Sequence, residues 1–547
     1  MKFQQLPPRI HHILFHTHTV SGIVISFALF IIFYAGAFAL FREDMFRWEE
    51  PAARHVNYEK YSLDKSMQVL RQEYPILDSM RDFSLVPPSH HTPLLLFNGS
   101  YVDTAGVRQR VRAYVNPETY EITEHRTTAA NTIYGLHFFT QIPGRIGIYI
   151  AGFVALFFLF ATITGVLIHW KDIAKKFYAF SPKTTIKQVW KNSHTVLGLL
   201  GLPFYIMYGI TGSLLGLSIL LLIPSALILF EGDQDKIVNI IRPQFAIKVD
   251  EKSPVVDNYS LDARVSQFTS DYGYEDIHFV FIRNYGKEDA TILFSVDNHE
   301  TLTGEGSVVY SLQTGKELLN LLPENQGYSI QALPVLIKLH YVTYGGLALK
   351  VIYFFFAMLT CFMIMSGVLL WHKARDNVKY TNKQRRFNFQ VTRYYLAICF
   401  SLFPSVALIF LANKLIPMDA VGRMTQVETV FFTGWLLLFV VAAWQKEFSR
   451  IAKFCLLTGG GFSLLVPVLN GIMTCDWLWT TIQADEFQVF GMDMFWLITA
   501  ITAFLIAIRV KFGKELMPEK EKAEVVAKPA GEERRKKSAL LDSTQKM

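Results

Sequence analysis

The run HTVSGIVISFALFIIFYAGAFALF at residues 18–41 begins with a histidine, has a glycine four residues later, and continues without a charged side chain. A second run, HTVLGLLGLPFYIMYGITGSLL at residues 194–215, begins in the same way. Gly36 and Gly212 each follow 18 residues after the first histidine of their run. Runs of this length can cross a hydrocarbon layer about 30 Å thick as helices. The chain therefore contains at least two related membrane helices.

The composition agrees with a membrane protein. Hydrophobic residues make up 51% of the 547 residues and charged residues only 18%, which argues against a soluble multidomain enzyme. The formal net charge of +7 is modest and lies mostly beside the apolar runs, so nucleic-acid binding is a poor explanation. The cysteines form neither CxxC nor CxxCH, which disfavours a disulfide scaffold, a thiolate metal site and c-type haem.

Eight apolar runs predict an α-helical integral membrane protein with eight transmembrane helices. In lipid each run must be helical, because no water is available to satisfy the backbone amides. The predicted spans are residues 18–41, 146–169, 195–222, 347–371, 394–413, 429–444, 454–473 and 493–509.

The charges of the short loops predict the orientation. The loop between the second and third spans and the loop between the fourth and fifth are rich in Lys and Arg. The loop after the seventh span contains Asp476, Asp485 and Glu486 and has no Lys or Arg. By the positive-inside rule we expect both termini in the cytoplasm.

Two long hydrophilic segments, residues 46–136 and 231–338, are then expected on the external side. Each contains a strand-like alternation that ends in a turn, at residues 112–119 and 308–315, which predicts hairpins in two α+β domains. Because neither segment contains cysteine, we expect each to fold around its own core. The remaining predicted units are residues 1–45 with the first span, 137–230 with the second and third, 339–373 with the fourth, 394–510 with the last four, and a disordered tail at 511–547.

The second and fourth spans are also related. Leu136-His137 precedes His169 by 32 residues, and Leu339-His340 precedes His372 by the same number. The first 373 residues are therefore interpreted as two parallel copies of helix, external domain, helix. Parallel copies imply a pseudo-two-fold axis along the membrane normal, so that equivalent residues can face one another across it. The first four spans are predicted to form this duplicated bundle.

The histidines follow the repeat. A neutral imidazole is a good axial ligand for haem iron, and helix bundles build such sites from facing helices. We therefore predict that His18 pairs with His194 near the cytoplasmic face, and that His137 pairs with His340 near the external face. Small residues beside them, such as Gly22 and Gly198, would leave room for a flat macrocycle.

Other histidines are weaker candidates. A histidine at a helix end often only anchors the membrane interface or bonds a carbonyl group. His169 and His372 stand in opposite order relative to their adjacent tryptophans, so an interfacial role is at least as good an interpretation. His16 lies before the matched motif, although it is an alternative to His18 as a ligand.

These motifs resemble the PepSY-associated transmembrane family. The resemblance rests on the HxxxG motifs at His18 and His194, the LHxxxxxxG motif at Leu136, and its counterpart at Leu339-His340, and it covers residues 1–373. The turn at residues 312–315 is similar to that of PepSY modules, which implies that both external domains are PepSY-like. The family includes iron-regulated inner-membrane proteins and bacterial ferric-siderophore reductases with paired histidines on b-type haems. It thus implies two b-type haems, haem iron bound by these histidines, and a bacterial inner-membrane location.

The resulting hypothesis is transmembrane electron transfer that reduces an external ferric chelate such as a ferrisiderophore. No GxGxxG motif is present to bind a dinucleotide, so the electron donor is expected to be a membrane quinol or a separate cytoplasmic flavoprotein. The alternative is a non-enzymatic, membrane-anchored PepSY regulator or peptidase-binding protein. A transporter is disfavoured because the span interiors contain essentially no ionisable residue.

Overall fold

Eight long apolar helices dominate the computed structural model, which describes residues 7–124, 128–178, 185–250, 252–256, 259–274, 277–297 and 301–511. Each is long and apolar enough to cross a membrane, and one occurs at every predicted span, so the chain is a multi-pass membrane protein. In chain-order numbering these helices are α1 (Pro8–Ala39), α5 (Ile146–His169), α8 (Leu202–Leu229), α12 (Gly346–Arg375), α13 (Asn382–Leu415), α14 (Arg423–Trp444), α15 (Phe448–Thr474) and α17 (Phe487–Arg509). The predicted tail, 511–547, lies outside the described residues apart from Lys511.

Nine shorter helices connect or flank the long ones. They are α2 (Arg42–Glu49), α3 (Leu63–Glu73), α4 (Ala129–His137), α6 (Ile173–Phe177), α7 (Ile186–Leu200), α9 (Gln234–Ile241), α10 (Leu261–Tyr272), α11 (Tyr328–Tyr341) and α16 (Leu478–Gln483), counted over the described residues.

The third predicted span, residues 195–222, is not one continuous helix. The chain breaks at Gly201 between α7 and α8, and Pro203 lies in the first turn of α8, where its missing N–H costs no helical hydrogen bond. A side chain at position 201 would clash with the ring of Tyr205, so any residue larger than glycine would have to displace that ring. The Tyr205 hydroxyl donates to the Leu197 carbonyl across the break, 3.1 Å away.

The first four long helices form a closed ring. Helix α1 packs against α5 and α12, α5 packs against α8, and α12 packs against α7. The last four long helices form a second group in which α13 contacts α14 and α15, and α15 contacts α17. We call α13 to α17 the accessory helices. The two groups meet through contacts of α12 with α13 and of α17 with α2.

All eight strands of the described residues form one antiparallel sheet in the order β4-β3-β2-β1-β5-β6-β7-β8. Both predicted hairpins are confirmed, as the pairs β3–β4 and β7–β8. The strands are β1 (Phe83–Val86), β2 (Leu95–Val102), β3 (Arg108–Val115), β4 (Ile122–Glu124), β5 (Phe279–Arg283), β6 (Thr291–Asp297), β7 (Glu305–Ser311) and β8 (Glu317–Leu321).

The two hydrophilic segments share this sheet, so the expectation that each folds around its own core is wrong. Strand β1 of the first pairs with β5 of the second, with Leu85 opposite Val280. One continuous hydrophobic core contains Phe97 from the first segment and Phe268 and Phe294 from the second. The helix ends that connect to this sheet define what we call the sheet side of the bundle, and the other end is the opposite side.

Helices α3 and α10 cap each other across the pseudo-two-fold axis. Asp262 accepts hydrogen bonds from the Ser62 hydroxyl (2.5 Å) and the Leu63 amide (2.7 Å) at the start of α3. Asp64 accepts the equivalent bonds from Ser260 and from the Leu261 amide at the start of α10. Each helix therefore obtains part of its N-terminal cap from the other repeat.

Candidate functional site

Two predicted histidines face each other on the opposite side of the bundle. His18 lies on α1 and His194 on α7, and their ring centres are 6.1 Å apart. The Nδ1 atom of His18 is 2.9 Å from the Ala161 carbonyl oxygen on α5. The Nδ1 atom of His194 is 3.0 Å from the Met363 carbonyl oxygen on α12. Ala161 and Met363 each lie four residues before the repeated glycine of their helix, so the two histidines of this pair have equivalent supports.

The second predicted pair meets on the sheet side. His137 is the last residue of α4, His340 lies near the end of α11, and their ring centres are 5.9 Å apart. The Nδ1 atom of His137 is 2.8 Å from the Ile32 carbonyl oxygen. The Nδ1 atom of His340 instead lies 2.9 Å from the Thr211 hydroxyl. The two histidines of this pair therefore have unequal supports.

Every one of these four rings is oriented in the same way. Its Nδ1 atom is engaged by a neighbouring helix, and a carbonyl oxygen can only accept, so at three rings Nδ1 carries the proton. That tautomer leaves the lone pair of Nε2 available to bind a metal. Most metal-bound histidines are held in this way, with the other ring nitrogen donating to a neighbouring group. On the sheet side, burial lowers the pKa of His137. Burial and the neighbouring His137 together lower the pKa of His340 to about 3, so both rings are neutral at physiological pH.

A glycine lies against each ring on a neighbouring helix. A Cβ atom would clash with the imidazole at Gly36, at 2.6 Å, and would crowd it at Gly367 and Gly165, at 3.0 and 3.2 Å. At Gly212 it would make an ordinary contact with the imidazole, at 3.6 Å. The contacts join Gly165 to His18, Gly367 to His194, Gly36 to His137 and Gly212 to His340. The repeated glycines of the sequence are thus part of the histidine sites.

The geometry of both pairs fits a shared metal ion. A metal–imidazole bond is about 2.0–2.1 Å long. When two imidazoles bind one metal from opposite sides, these bonds and the distances from each nitrogen to its ring centre together separate the ring centres by about 6 Å. Among the described residues no three His, Cys, Asp or Glu side chains cluster to form a metal site, and haem iron needs only two axial ligands from the protein. Gly22 and Gly198 have open space where a side chain would lie, next to the His18–His194 pair.

The three weaker candidates lie outside the two facing pairs, although His169 is close enough to His18 and His194 to interact with both electrostatically. His16 is exposed and its ring lies 5.1 Å from that of His12. His169 ends α5 near His18, at an intermediate level of exposure. His372 is 3% exposed and packs against Phe389 and Phe448 of the accessory helices, with ring centres 5.9 and 5.4 Å away.

The sequence analysis missed residues that support the site. Thr211, which contacts His340, immediately precedes the repeated Gly212, and this position next to a repeat residue was the available signal. The accessory helices also bury polar groups beside α2, among them Asn413, Lys414 and Asp493. In the sequence, these residues appear as a few polar side chains within otherwise apolar runs. Span prediction treats such side chains as the ends of a span.

The region that contains the repeat matches a known protein family. The chain matches the family described as the PepSY-associated TM region over residues 15–374, a stretch that contains both histidine pairs and ends before α13. A comparison with curated proteins finds no match. Because the family match covers well over half of the chain, this protein belongs to the PepSY-associated TM family.

Proposed function

We propose that this protein carries electrons across a bacterial inner membrane through two b-type haems and reduces a ferric chelate, such as a ferrisiderophore, on the sheet side. The observation that carries the proposal is the pair of facing imidazoles at each end of the bundle, 6.1 and 5.9 Å apart, with Nδ1 engaged at all four rings. His18 and His194 would hold one haem, and His137 and His340 the other.

A haem bound at each pair would supply a one-electron centre. The histidines would hold each haem in place, and the Nδ1 partners would orient the imidazoles and raise their basicity. His18 and Gly36, which contact different sites, are 18 residues apart on α1, a rise of about 27 Å. The width of the two macrocycles would shorten the electron-transfer distance below that value.

Aromatic side chains pack within the same ring of helices. Phe33 of α1 lies 5.2 Å from Phe158 and 6.2 Å from Phe204, and Phe204 stacks on Phe356 at 5.4 Å, measured between ring centres. Such packing would keep the medium between the two sites apolar. The bundle would thereby carry electrons without opening a path for ions.

In this proposal the opposite side, where the Lys- and Arg-rich loops lie, is cytoplasmic by the positive-inside rule, so both termini would lie there and the sheet would face the periplasm. The donor would be a membrane quinol or a cytoplasmic flavoprotein. Each ferric ion takes up one electron and becomes ferrous, and hard-oxygen chelators hold the ferrous ion much less tightly. The PepSY-like segments that form the sheet are the proposed contact surface for the chelate.

The absorption spectrum of the detergent-purified protein, expressed with sufficient haem, tests this proposal. We expect a Soret band, a reduced α band typical of bis-histidine b haem, and two haems per chain. His18→Ala and His340→Ala should each remove about half of the haem, because each destroys one of two sites. His372→Ala is the matched control and should retain both haems.

A colourless wild-type protein would contradict the proposal and favour the regulator or peptidase-binding alternative. Unchanged haem content in both histidine variants would show that the ligands lie elsewhere.

A further inference from the structure

We propose that the accessory helices position the sheet-side ligand His137, and that Glu49 is the positioning residue through which they act. This inference rests on the proposed haem function for its redox consequence. Its structural basis is a set of contacts that joins α13 and α14 to the N-terminus of α4, the short helix that ends at His137.

Glu49 caps helix α4 from 79 residues away in the chain. One carboxylate oxygen accepts from the Thr128 amide at 2.7 Å and from the Ala129 amide at 3.2 Å, and the other accepts from the Ala130 amide. Thr128, at the N-cap position, makes no side-chain capping bond of its own. Because the first amides of a helix have no partner within the helix and carry its positive dipole end, a buried carboxylate here determines where α4 begins.

The accessory helices hold this carboxylate in place. The Asn413 side-chain amide of α13 donates to Glu49 at 3.3 Å and to the Thr128 hydroxyl at 2.7 Å. Arg423 at the start of α14 donates to the Asn413 carbonyl and attracts Glu49 electrostatically. Glu49 is only 2% exposed, so these contacts are protected from solvent.

The backbone that carries Glu49 is also fixed to the accessory helices. Arg47 forms a two-point ion pair with Glu486, at 2.7 and 3.0 Å. The Trp48 indole donates to Asp493 of α17 at 2.7 Å, and Lys414 donates to the Trp48 carbonyl at 2.7 Å. Segment α2 therefore cannot move without breaking buried polar contacts, each of which is costly to leave unpaired.

Helix α4 transmits this position to the ligand. It contains nine residues, from the amides that Glu49 binds to His137 itself, so it acts as a short rigid connection about 13 Å long. The partner helix α11 has Gly327 at its N-cap and no side-chain capping bond. Because α4 carries His137 and neither His18 nor His194, the effect of Glu49 should appear at the sheet-side site and not at the opposite one.

Glu49→Gln tests the inference, because it keeps the shape but replaces one acceptor oxygen with a donor that faces amides. We expect amide hydrogen exchange in residues 128–137 of the haem-free protein to be about tenfold faster, because buried amides lose an acceptor. In the haem-loaded protein, the midpoint potential and the EPR g values of the sheet-side haem should shift while those of the other haem stay unchanged. Asn413→Ala should change both readouts in the same direction by less.

Glu43→Gln is the matched control on the same helix. The Glu43 side chain is 48% exposed and lies 3.8 Å from Lys350 of α12, so its substitution should leave exchange in α4 and both haems as in the wild type. Equal shifts of both haems in Glu49→Gln, or unchanged exchange in α4, would overturn the inference. If the wild-type protein binds no haem, only the proposed function is contradicted. The exchange measurement is made without haem and still decides the role of Glu49.

Discussion

The two histidine pairs differ in how they are supported. On the opposite side, His18 and His194 both contact backbone carbonyls at equivalent positions of the two repeats. On the sheet side, His137 contacts a carbonyl but His340 contacts the Thr211 hydroxyl. The repeated histidines thus face each other at both ends of the bundle, while the Nδ1 partners differ in kind between the two histidines of the sheet-side pair.

The helices that carry the sheet-side ligands are also anchored to different parts of the molecule. Helix α4 is capped by Glu49 together with the accessory helices. Helix α11 is anchored by Lys338, which pairs with Asp297 at the end of β6 and donates to the Thr301 carbonyl at 2.9 Å. The position of His137 thus depends on the membrane helices and that of His340 on the sheet, so substitutions outside the bundle should change the sheet-side pair.

Lys338→Ala should have the largest effect on this comparison. Lys338 is 2% exposed, and its loss leaves the largely buried carboxylate of Asp297 without its cation, at a cost of about 3–5 kcal/mol. We expect lower thermal stability and loss of the sheet-side haem while the other is retained. Lys236→Ala is the control, because the Lys236 side chain is 60% exposed in its ion pair with Asp233 and should change little. Loss of both haems in equal measure would contradict the separate anchoring.

Gly36→Ala and Gly212→Ala compare the two ligands within the sheet-side pair. The new Cβ would lie 2.6 Å from Nδ1 of His137 in the first variant but 3.6 Å from His340 in the second. Overpacking of this kind costs about 1–3 kcal/mol, and we expect the larger loss of sheet-side haem in Gly36→Ala. Haem titration of both variants measures the difference. A greater loss in Gly212→Ala would show that His137 moves more easily than its contacts indicate.

Thr211→Val tests the unequal support of the sheet-side pair. It removes the hydroxyl that contacts His340, and loss of such a partner lowers metal affinity by about tenfold or more. Thr164→Val is the matched control: Thr164 lies 3.4 Å from Nδ1 of His18, but that ring keeps its bond to the Ala161 carbonyl. Haem dissociation rates should therefore rise for the sheet-side haem in the first variant and stay near wild type in the second. Equal rates would remove the distinction between the supports.

Asp64→Ala and Asp262→Ala should have the smallest effects, and these should cross between the repeats. Each variant removes a cap worth about 1 kcal/mol from the helix of the other repeat. Asp64→Ala should therefore speed amide exchange at the start of α10, and Asp262→Ala at the start of α3. Exchange that increases only in the variant's own helix would argue against the reciprocal arrangement.

Local patterns were sufficient to predict the spans and the histidine partners. Apolar length predicts each long helix, and the repeat places His18 opposite His194 because equivalent residues share an axis. The pairing of β1 with β5 was missed, because it joins residues about 200 apart with no local signal for register. The tetrapeptide Tyr-Ser-Leu-Asp, at 61–64 and again at 259–262, did carry a signal for the shared axis.

The supports of the site were harder to predict. The bond from Thr211 to His340 and the cap from Glu49 to α4 depend on how helices pack, not on the periodicity of any one segment. A buried carboxylate at the end of α2 looks like a surface residue in the sequence, since acidic side chains are seldom buried. Three-dimensional contacts were needed to identify its partners.

The single sheet also constrains biosynthesis. Strand β1 leaves the ribosome long before β5, and two membrane crossings, α5 and α8, must be inserted between them. Until then β1 presents an unpaired edge, which invites pairing with another chain. Completion of the sheet is therefore a late, non-local step of folding, and a truncated chain that ends after the first repeat would expose the seam at which the halves are normally joined.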